Sequence, residues 1–520
     1  MDADVIIAGA GPTGLMLAGE LALAGVRPLV LEKRADSAVE RGSGIGGQAL
    51  TLLRYRGLFD TFAAVSRLPE PAARFPFGSL HISVAEVPDN PMLGMPVPQA
   101  ELVRLLAERA TGLGARIRYR QEVTGASQDA DSVTVAVAGG APLTARYVVS
   151  CEGGYSKVRE AAGIDFPGTT YPEIMRMATV KRPDSVTRLE SGDFEIAGAG
   201  TVPFGFTHTD AGTFAIAAMG VDDLSLYTEE PGAESDDDEP MTLAELAASI
   251  GRVTGLDIPL GEARRVTRFS YQARHASRYR EGRLLLAGDA AHLFAAGGQG
   301  IGMGMLDGVN LAWKLAAVLR GEVPETLLDT YESERQPANA RALLQTRAQV
   351  ALRRGNDAEA VALRELFQEL LEDVPAKRRL AALLAGSDTR FPVTGTDPHP
   401  LAGYLVPDFP LHTSEPLDTS AGEASIAGFL RAARPVLVDL SDDSWASAAA
   451  QDWKDRVQVV TATADDRPAD ALLIRPDAYV AWAAGAGHAA GNAAGNAAGV
   501  PADAAGLREA LTHWFGVPVG

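Results

Sequence analysis

The feature that most constrains the fold is a glycine pattern near the start of the chain, Gly9-Ala10-Gly11-Pro12-Thr13-Gly14. Apolar residues predict a strand from Asp4 to Gly9, leucine spacing predicts a helix from Pro12 to Gly25, and Arg27 to Glu32 reads as a second strand. A strand, a tight turn, a helix and a returning strand form the βαβ unit of a parallel sheet. The sequence therefore predicts a doubly wound α/β domain.

The same glycine pattern predicts a dinucleotide site. Gly9 permits a tight turn, Gly11 lets a pyrophosphate approach the backbone, and Gly14 allows the helix and the strand to pack closely. Glu32 ends the second strand, where a carboxylate accepts hydrogen bonds from ribose hydroxyls and repels a 2′-phosphate. These residues leave open whether the dinucleotide is NAD or FAD.

A second glycine loop favours FAD. A strand predicted from Leu284 to Gly288 delivers Asp289 to a loop that contains Gly297-Gly298-Gln299-Gly300 and precedes a helix predicted from Met305 to Leu319. Backbone N–H groups of such a loop can bind a flavin carbonyl and stabilise the charge of a reduced flavin. Asp289 can accept from a ribityl hydroxyl, although it can also act as a helix N-cap. For His292 we favour a buried, hydrogen-bonded structural role.

Composition excludes several function classes. The chain has 520 residues, enough for two to four domains, and a net charge of -20, which disfavours nucleic acid and anionic membrane surfaces as partners. The single Cys151 excludes an intramolecular disulfide and a cysteine-based zinc cluster, and the histidines show no metal-ligand spacing. Neither a signal peptide nor a membrane span is expected near the N-terminus. We expect a cytoplasmic protein without a metal.

The rest of the chain predicts a multidomain organisation. Residues 1–167 and 281–397 are predicted to form the two parts of the dinucleotide domain, residues 168–280 a β-sheet substrate domain and residues 398–520 a C-terminal domain. Gln99 to Leu113 reads as a helix, and strands at Val133 to Val137 and Arg146 to Ser150 are predicted to join the first sheet. The acidic run from Glu229 to Glu239 is interpreted as a solvated loop, and Ala483 to Gly499 as a flexible loop.

Further motifs point to a known family. They are Arg41, Gln99 with Arg104, Cys151-Glu152-Gly153-Gly154, Tyr331-Glu332-Ser333-Glu334-Arg335 and Arg475-Pro476-Asp477. Together with both glycine motifs they make the chain resemble the class A flavoprotein monooxygenases, of which para-hydroxybenzoate hydroxylase is the type, and most closely the aromatic polyketide hydroxylases and rifampicin monooxygenase. The resemblance implies a thioredoxin-like C-terminal domain. Because no C-x-x-C is present, we expect that domain to be structural or interfacial.

The resemblance also implies a cofactor, a reaction and a site. FAD would be bound tightly, NADPH or NADH would reduce it, and a C4a-hydroperoxyflavin formed with O2 would hydroxylate a polycyclic aromatic intermediate of polyketide type. The residues expected at the cofactor are Gly9, Gly11, Pro12, Thr13, Gly14, Glu32, Lys33, Arg41, Gln99, Arg104, Gly288, Asp289, Gly297, Gly298, Gly300, Ile301 and Gly302. Phe206, His208 and Phe214 are weak candidates for the substrate wall, with sheet packing the favoured reading of each. A monomer or a homodimer is expected.

Some residues depart from the family pattern. Where the family usually has Asp-Gly-Gly-Arg-Ser, this chain has Glu152-Gly153-Gly154-Tyr155-Ser156. Gln48 stands where relatives often carry Arg, Gly302 replaces a common Asn, and the loop Leu293 to Ala296 is one residue shorter. These departures lie on the side where the flavin would react, whereas the phosphate-binding residues match. Baeyer–Villiger or epoxidising oxygenation, a non-oxygenating flavoenzyme and, more remotely, a flavin-free scaffold therefore stay open as alternatives.

Overall fold

The computed structural model describes residues 1–35, 44–68, 70–218, 222–231, 240–296, 298, 300–393, 398–413, 424–485 and 502–518. The first part of the chain contains a parallel sheet covered by helices, and several smaller sheets. Its strands are β1 (Val5–Ala8), β2 (Pro28–Glu32), β3 (Ile45–Gly46), β4 (Arg74–Phe77), β5 (Leu80–Ser83), β6 (Gly94–Met95), β7 (Arg116–Tyr119), β8 (Val123–Gln128), β9 (Val133–Val137), β10 (Leu143–Ala145) and β11 (Tyr147–Ser150). Its helices are α1 (Pro12–Leu23), α2 (Gln48–Tyr55), α3 (Phe59–Ala63), α4 (Gln99–Gly112) and α5 (Lys157–Ala161). In this part of the chain, the parallel sheet is formed by β1, β2, β7 and β11. β1 pairs in parallel with β2 and β11, which confirms the βαβ unit.

The prediction for the later strands is right for β11 and wrong for β9. Every residue of β11 is buried, as a central strand of a parallel sheet requires when helices cover both faces. β9 alternates between buried and more exposed residues. It pairs with β8 and β10 in a separate antiparallel sheet, where one face is covered and the other meets solvent.

The middle of the chain forms an antiparallel sheet, as predicted. Its elements are β12 (Gly168–Lys181), β13 (Val186–Arg188), β14 (Phe194–Ile196), β15 (Gly200–Val202), β16 (Gly205–Thr209), β17 (Gly212–Ala218), β18 (Asp223–Glu230), β19 (Ala263–His275), β20 (Arg280–Glu281) and α6 (Leu243–Thr254). The sheet order is β16-β17-β18-β12-β19, and β13, β14 and β15 form a smaller sheet. Thr242 caps α6 at its N-terminus and Gly255 ends it in the left-handed conformation.

The start of the acidic run corrects an expectation. Glu229 and Glu230 are the last residues of β18, and both are buried rather than solvated. Glu230 pairs with Arg176 and Arg252. A carboxylate can be buried in this way because guanidinium groups replace its water. Residues 232–239 lie outside the described residues, as do residues 486–501 of the Ala/Gly-rich segment.

The chain then returns to the first sheet. Its elements here are β21 (Leu284–Leu286), a 3-10 turn (Gly288–Ala290), β22 (His292–Leu293), α7 (Gly300–Leu319), α8 (Asp329–Arg353), α9 (Ala358–Leu370) and α10 (Val374–Ala385). β21 completes the sheet order β20-β21-β11-β1-β2-β7, while β22 pairs with β19 at the edge of the antiparallel sheet. The 3-10 turn therefore lies where the two sheets meet. Among the described residues, no helix is both long and apolar enough to cross a membrane.

The C-terminal part forms its own sheet. Its elements are α11 (Ile426–Phe429), β23 (Val436–Asp439), α12 (Trp445–Ala449), β24 (Gln458–Thr461), β25 (Ala471–Ile474), β26 (Val480–Ala484) and α13 (Ala502–Phe515). The sheet order is β24-β23-β25-β26, with β23 and β24 parallel and the other pairs antiparallel. This arrangement agrees with the predicted thioredoxin-like domain. The boundaries at residues 167, 280 and 397 stay predictions.

Candidate cofactor and active site

The first glycine loop has two crowded positions and one open one. Gly9 has φ +104°, and a Cβ there would lie 2.3 Å from the carbonyl oxygen of Cys151. A Cβ on Gly14 would lie 2.1 Å from the carbonyl oxygen of Gly9. A Cβ on Gly11 meets nothing within 4 Å. The space over Gly11, at the N-terminus of α1, therefore suits a pyrophosphate, whose charge the helix dipole favours.

Glu32 ends β2 beside this loop and is buried. Its Oε2 accepts from the backbone N–H of Ala10 at 2.8 Å, and its Oε1 accepts from the N–H of Arg34 at 3.0 Å. Each carboxylate oxygen can accept a second hydrogen bond, which leaves capacity for a ribose hydroxyl. Lys33, beside it, is exposed.

The two glycine loops lie against each other. Gly288 has φ +62°, and a Cβ there would lie 2.5 Å from Oγ1 of Thr13. A Cβ on Gly304 of α7 would lie 2.2 Å from the same oxygen. Gly308 approaches the backbone of Thr13 and Leu17 in the same way. Small residues on α7 and in the second loop thus bring α1 close, so the two glycine loops are in contact, as binding of a single dinucleotide requires.

A buried carboxylate holds the second loop in place. Asp307 of α7 is fully buried; its Oδ2 accepts from the backbone N–H of Gly288 at 3.0 Å and lies 2.7 Å from Nε2 of His292. Its Oδ1 accepts from Nε of Arg335 at 2.8 Å and from Nδ2 of Asn339 at 3.0 Å. Burial alone would raise the pKa of Asp307, but His292 and Arg335 lower it well below its ordinary value. His292 has the buried structural role that the sequence favoured.

Asp307 makes the stability of this region dependent on pH. Because its pKa is lower in the folded chain than the value of about 3.9 in an unfolded one, the unfolded chain takes up a proton first as the pH falls. The stabilisation is thus complete above about pH 5 and is lost as the pH falls further. Below about pH 4, the unfolding free energy of the wild type falls as the pH falls, in part because the unfolded chain binds a proton at Asp307. We expect Asp307→Asn to remove this contribution, which amounts to ~1.4 kcal/mol per pH unit for one proton.

Urea unfolding of the wild type and of Asp307→Asn between pH 6 and pH 3 measures this slope. Asp442→Asn is a matched control, because its carboxylate is exposed. Parallel pH curves for the wild type and Asp307→Asn would contradict this role of Asp307.

The described residues enclose cavities, which we number 1 to 3, around the second loop. Cavity 1 (about 340 Å³) and cavity 2 (about 530 Å³) share Gly298. Cavity 3 (about 890 Å³) lies against the antiparallel sheet and shares Phe206 and Tyr271 with cavity 2. Asp289 and Gly300 also line cavity 2, and Gly302 lines cavity 1. Cavity 2, at the glycine loop, is therefore adjacent to the large cavity 3 against the sheet.

Leu293 to Ala296, the shortened loop, form part of the wall of cavity 2. Ile301 is partly buried in the first turn of α7, and Gln99 begins α4. Arg41 and Gly297 lie outside the described residues.

Three predicted site residues have other contacts. Arg104 is half-exposed on α4, where its guanidinium pairs with Glu101 and Glu108 of the same helix. Phe214 is fully buried in the core beneath α6 and does not line a numbered cavity, so its role is packing. His208 is also absent from the cavity walls; its Nδ1 lies 3.2 Å from Oγ1 of Thr213. Of the substrate-wall candidates, Phe206 alone among the three lines a cavity.

The departures from the family pattern have structural contacts of their own. Glu152 accepts from the hydroxyl of Ser156 at 2.8 Å and from the backbone N–H of Val158 at 3.1 Å, and so caps α5. Tyr155 is 85% exposed. Gln48 accepts from the hydroxyl of Tyr479 at 2.9 Å, so it contacts the C-terminal domain.

Sequence reasoning missed a polar cluster at the junction of cavities 2 and 3. The hydroxyl of Tyr227 donates to Oε2 of Glu229 at 2.7 Å, and Nη1 of Arg353 donates to the hydroxyl oxygen of Tyr271 at 3.2 Å. The two hydroxyl oxygens are 3.5 Å apart, and Nε of Arg353 lies 3.2 Å from Oε2 of Glu229. Burial raises the pKa of Tyr227 well above its ordinary value, so its hydroxyl stays protonated. The spacing of Tyr227 and Glu229 on one strand face was the available sequence signal.

The remaining family motifs meet in a buried cluster between domains. Arg475 donates through Nη1 to Oε1 of Glu334 at 2.6 Å and through Nε to Oδ1 of Asp477 at 3.0 Å. Lys314 and Asn310 of α7 also donate to Glu334, each at 2.7 Å. Burial lowers the pKa of Lys314 to about 8. The C-terminal domain is thus bonded directly to the helix that carries Asp307.

Comparison with known proteins agrees with this geometry. Residues 2–346 match the family model described as an FAD binding domain, and residues 399–518 match the model described as the C-terminal domain of aromatic-ring hydroxylases. The chain belongs to the family of FAD-binding aromatic-ring hydroxylases. This hydroxylase is a flavoprotein monooxygenase, as the sequence predicted. Its open position at Gly11, the carboxylate of Glu32 and the contact between the two glycine loops fit FAD.

Relatives resemble the hydroxylase over its whole length. The 12-dehydrotetracycline 5-monooxygenase/anhydrotetracycline 6-monooxygenase of Streptomyces rimosus is 38% identical over 534 residues, covering 99% of both chains. The structure of CabE, an aromatic hydroxylase from angucycline biosynthesis, is 36% identical with a TM-score of 0.86 and covers 100% of both. A dialkyldecalin synthase of Streptomyces rugosporus is 36% identical over 525 residues, covering 99% of both.

Proposed function

We propose that the hydroxylase adds one oxygen atom of O2 to a polycyclic aromatic intermediate of polyketide type, with NADPH or NADH as the reductant. The observation that carries this proposal is cavity 3, whose volume of about 890 Å³ is within the range of small-molecule sites. Cavity 3 adjoins cavity 2 at Phe206 and Tyr271, which supports placing a large ring system next to the glycine loop. The names of the tetracycline and angucycline relatives support this substrate class.

The remaining expectations on partners and place belong to the same proposal. The hydroxylase would act in the cytoplasm as a monomer or a homodimer, without nucleic acid or membrane partners. The single cysteine and the net charge of -20 support this setting.

The chain's own residues bind the cofactor and shape the reaction space. FAD, when bound, supplies electron transfer from the nicotinamide and activation of oxygen. The position over Gly11 would hold the pyrophosphate, Glu32 would accept from the adenosine ribose, and Asp289 would accept from the ribityl chain. Asp307 holds the turn at Gly288 by accepting a hydrogen bond from its backbone N–H. The apolar walls of cavity 3 exclude water from the reacting carbon.

Tyr271 is placed to orient the substrate. Because its oxygen accepts from Arg353, its own O–H points elsewhere and can donate to a substrate oxygen or to Tyr227. Tyr227 in turn donates to Glu229, so its hydroxyl oxygen can accept from Tyr271 but its O–H is not available to it. A phenolic or carbonyl oxygen bound here lies at the junction of cavities 2 and 3, where the ring faces the glycine loop.

Tyr271→Phe tests this role. We expect product formation to fall about tenfold, the effect of one lost hydrogen bond to a substrate oxygen, while FAD content stays unchanged. The ratio of product formed to nicotinamide consumed measures the effect, because a misplaced substrate leaves reduction intact. Tyr404→Phe, in the C-terminal domain, is the control. Equal ratios for Tyr271→Phe and the wild type would exclude an orienting role.

The function itself is tested on the purified holoprotein. We expect NADPH to bleach the flavin in the presence of a polycyclic quinone under anaerobic conditions, and oxygen then to give a product 16 mass units heavier. Bleaching without an oxygenated product, with conversion to an isomer, would favour a second function. That second function, a flavoprotein that rearranges its substrate, is supported by the dialkyldecalin synthase relative. A colourless protein that binds no flavin would contradict both.

A further inference from the structure

The cavities of this acidic protein are lined by arginines. Arg74 and Arg188 line cavity 3, and none of the described residues that line it is Asp or Glu. Cavity 1 is lined by Arg74, also without a carboxylate among its described lining residues. The chain as a whole carries 67 acidic residues against 47 basic ones. A cleft lined by one sign of charge concentrates the opposite sign, so this cleft attracts anions although the protein surface repels them.

Ion pairing distinguishes the two cavity arginines from neighbouring arginines in the described part of the chain. In the described part of the chain, neither Arg74 nor Arg188 forms an ion pair. Arg176 of the antiparallel sheet and Arg252 of α6 do, because both pair with Glu230. Arg353, at the junction with cavity 2, lies 3.2 Å from Glu229. Positive charge available to a ligand is therefore concentrated at Arg74 and Arg188.

The two arginines lie on walls different from the tyrosine cluster. Arg188 belongs to β13 of the smaller sheet, and Arg74 belongs to β4, opposite Ser83 of β5. Tyr227 and Tyr271 belong to the antiparallel sheet. A ring system placed against Phe206 and Tyr271 would thus direct a polar group on another edge to guanidinium groups. Ser225, which also lines this cavity, adds a hydroxyl group.

We propose that the substrate carries an anionic oxygen group, a carboxylate or an ionised enol, which Arg188 and Arg74 bind while its rings occupy cavity 3. This inference rests on the proposed function and narrows its substrate class. A guanidinium binds both groups because each presents paired or delocalised oxygen atoms that accept charge-assisted hydrogen bonds. The two sources of the anion are distinguished in the test.

Two matched pairs of probes test the proposal on the holoprotein. Anthraquinone-2-carboxylate is compared with its methyl ester, and 2-hydroxy-1,4-naphthoquinone, an ionised enol at neutral pH, with its methyl ether. Titration followed by flavin fluorescence gives each Kd. We expect at least one acid to bind about tenfold more tightly than its neutral partner, the range of a hydrogen bond to a charged group, and the preference to weaken with added salt. The pair that shows the preference identifies the anion.

Variants assign the preference to the arginines. Arg188→Gln, Arg74→Gln and the double variant are expected to lose it stepwise, and Arg188→Lys to keep most of it because the charge remains. Arg278→Gln is the control, since Arg278 is exposed and lines none of the numbered cavities. FAD content and the thermal midpoint of each variant report folding; if Arg188→Gln does not fold, Arg74→Gln and Arg188→Lys carry the test.

The outcomes separate this inference from the proposed function. Equal Kd values for acids and neutral partners overturn the anionic group and leave the polycyclic substrate standing. A preference that persists in the double variant overturns the assignment to Arg74 and Arg188. Failure of all four probes to bind, with FAD present, counts against the polycyclic substrate and therefore against both.

Discussion

Replacing Arg475 with methionine is expected to lower the free energy of unfolding by about 3–5 kcal/mol, the usual effect of removing one partner from a buried ion pair. Arg475 and Lys314 balance the charges of Glu334 and Asp477, and all four side chains are almost fully buried. Without Arg475, an excess negative charge remains where no water can solvate it. The loss is large because Arg475 donates to both carboxylates.

The same substitution is expected to weaken FAD binding, although Arg475 is not at the predicted cofactor site. Glu334 lies on α8 next to Arg335, which donates to Asp307, and Asn310 lies on α7 one turn from Asp307. Loosening the cluster therefore loosens the support of the turn at Gly288. Retention of FAD during gel filtration, together with urea unfolding, measures both effects.

A control and a rescue make this expectation specific. Arg467→Met removes an arginine that pairs with exposed Asp442 and is expected to change stability by less than about 1 kcal/mol. Adding Glu334→Gln to Arg475→Met removes the excess charge and is expected to recover part of the lost stability, which a double-mutant cycle quantifies. An Arg475→Met protein within 1 kcal/mol of the wild type would show that the domains are held together by other contacts.

The parts of the fold that the sequence predicted are those set by local patterns. The βαβ unit follows from glycine positions and apolar runs that need no knowledge of the rest of the chain. The placement of β9 could not be predicted in this way. A short apolar run indicates that a strand exists, but it does not indicate which strand it pairs with. Its alternating burial, a property of the whole assembly, decides that it joins the smaller sheet.

Sheet register explains the mixed outcome for the substrate wall. Phe206 pairs with Ala215, and Thr207 pairs with Phe214. Successive residues of a strand face opposite sides, so one position decides between the cavity and the core beneath α6. Sequence alone did not give this register, and it therefore could not separate Phe206 from Phe214.

The polar groups at the site could be identified only from the tertiary structure. Tyr271 lies on β19 and Arg353 on α8, and neither is near a recognisable motif. Asp307 is different: a buried carboxylate within a largely apolar helix is costly unless it is paired, so its position indicated that it would have polar partners. Arg104 shows the opposite case, in which a residue matched a family position but pairs with carboxylates of its own helix.

A glycine can relieve crowding or leave space for a ligand, and the first loop allows these two roles to be tested separately. Gly11→Ala is expected to leave the apoprotein within about 0.5 kcal/mol of the wild type. Its backbone has φ -75° and ψ 176°, which alanine adopts readily, and its Cβ meets no protein atom within 4 Å. The same methyl group enters the space required by the pyrophosphate, so FAD affinity is expected to fall about tenfold to hundredfold.

Gly14→Ala, in contrast, is expected to destabilise the apoprotein itself. Its Cβ would lie 2.1 Å from the carbonyl oxygen of Gly9 and 3.2 Å from a methyl carbon of Ile7, so α1 must move away from β1 even without FAD. We expect the apoprotein to lose about 3 kcal/mol of stability, the upper range for an overpacked core. Urea unfolding with and without FAD distinguishes the two variants, because only a bound ligand adds stability by mass action. If Gly11→Ala bound FAD as tightly as the wild type, the pyrophosphate would not pass over Gly11, and the cofactor site derived from this loop would be wrong.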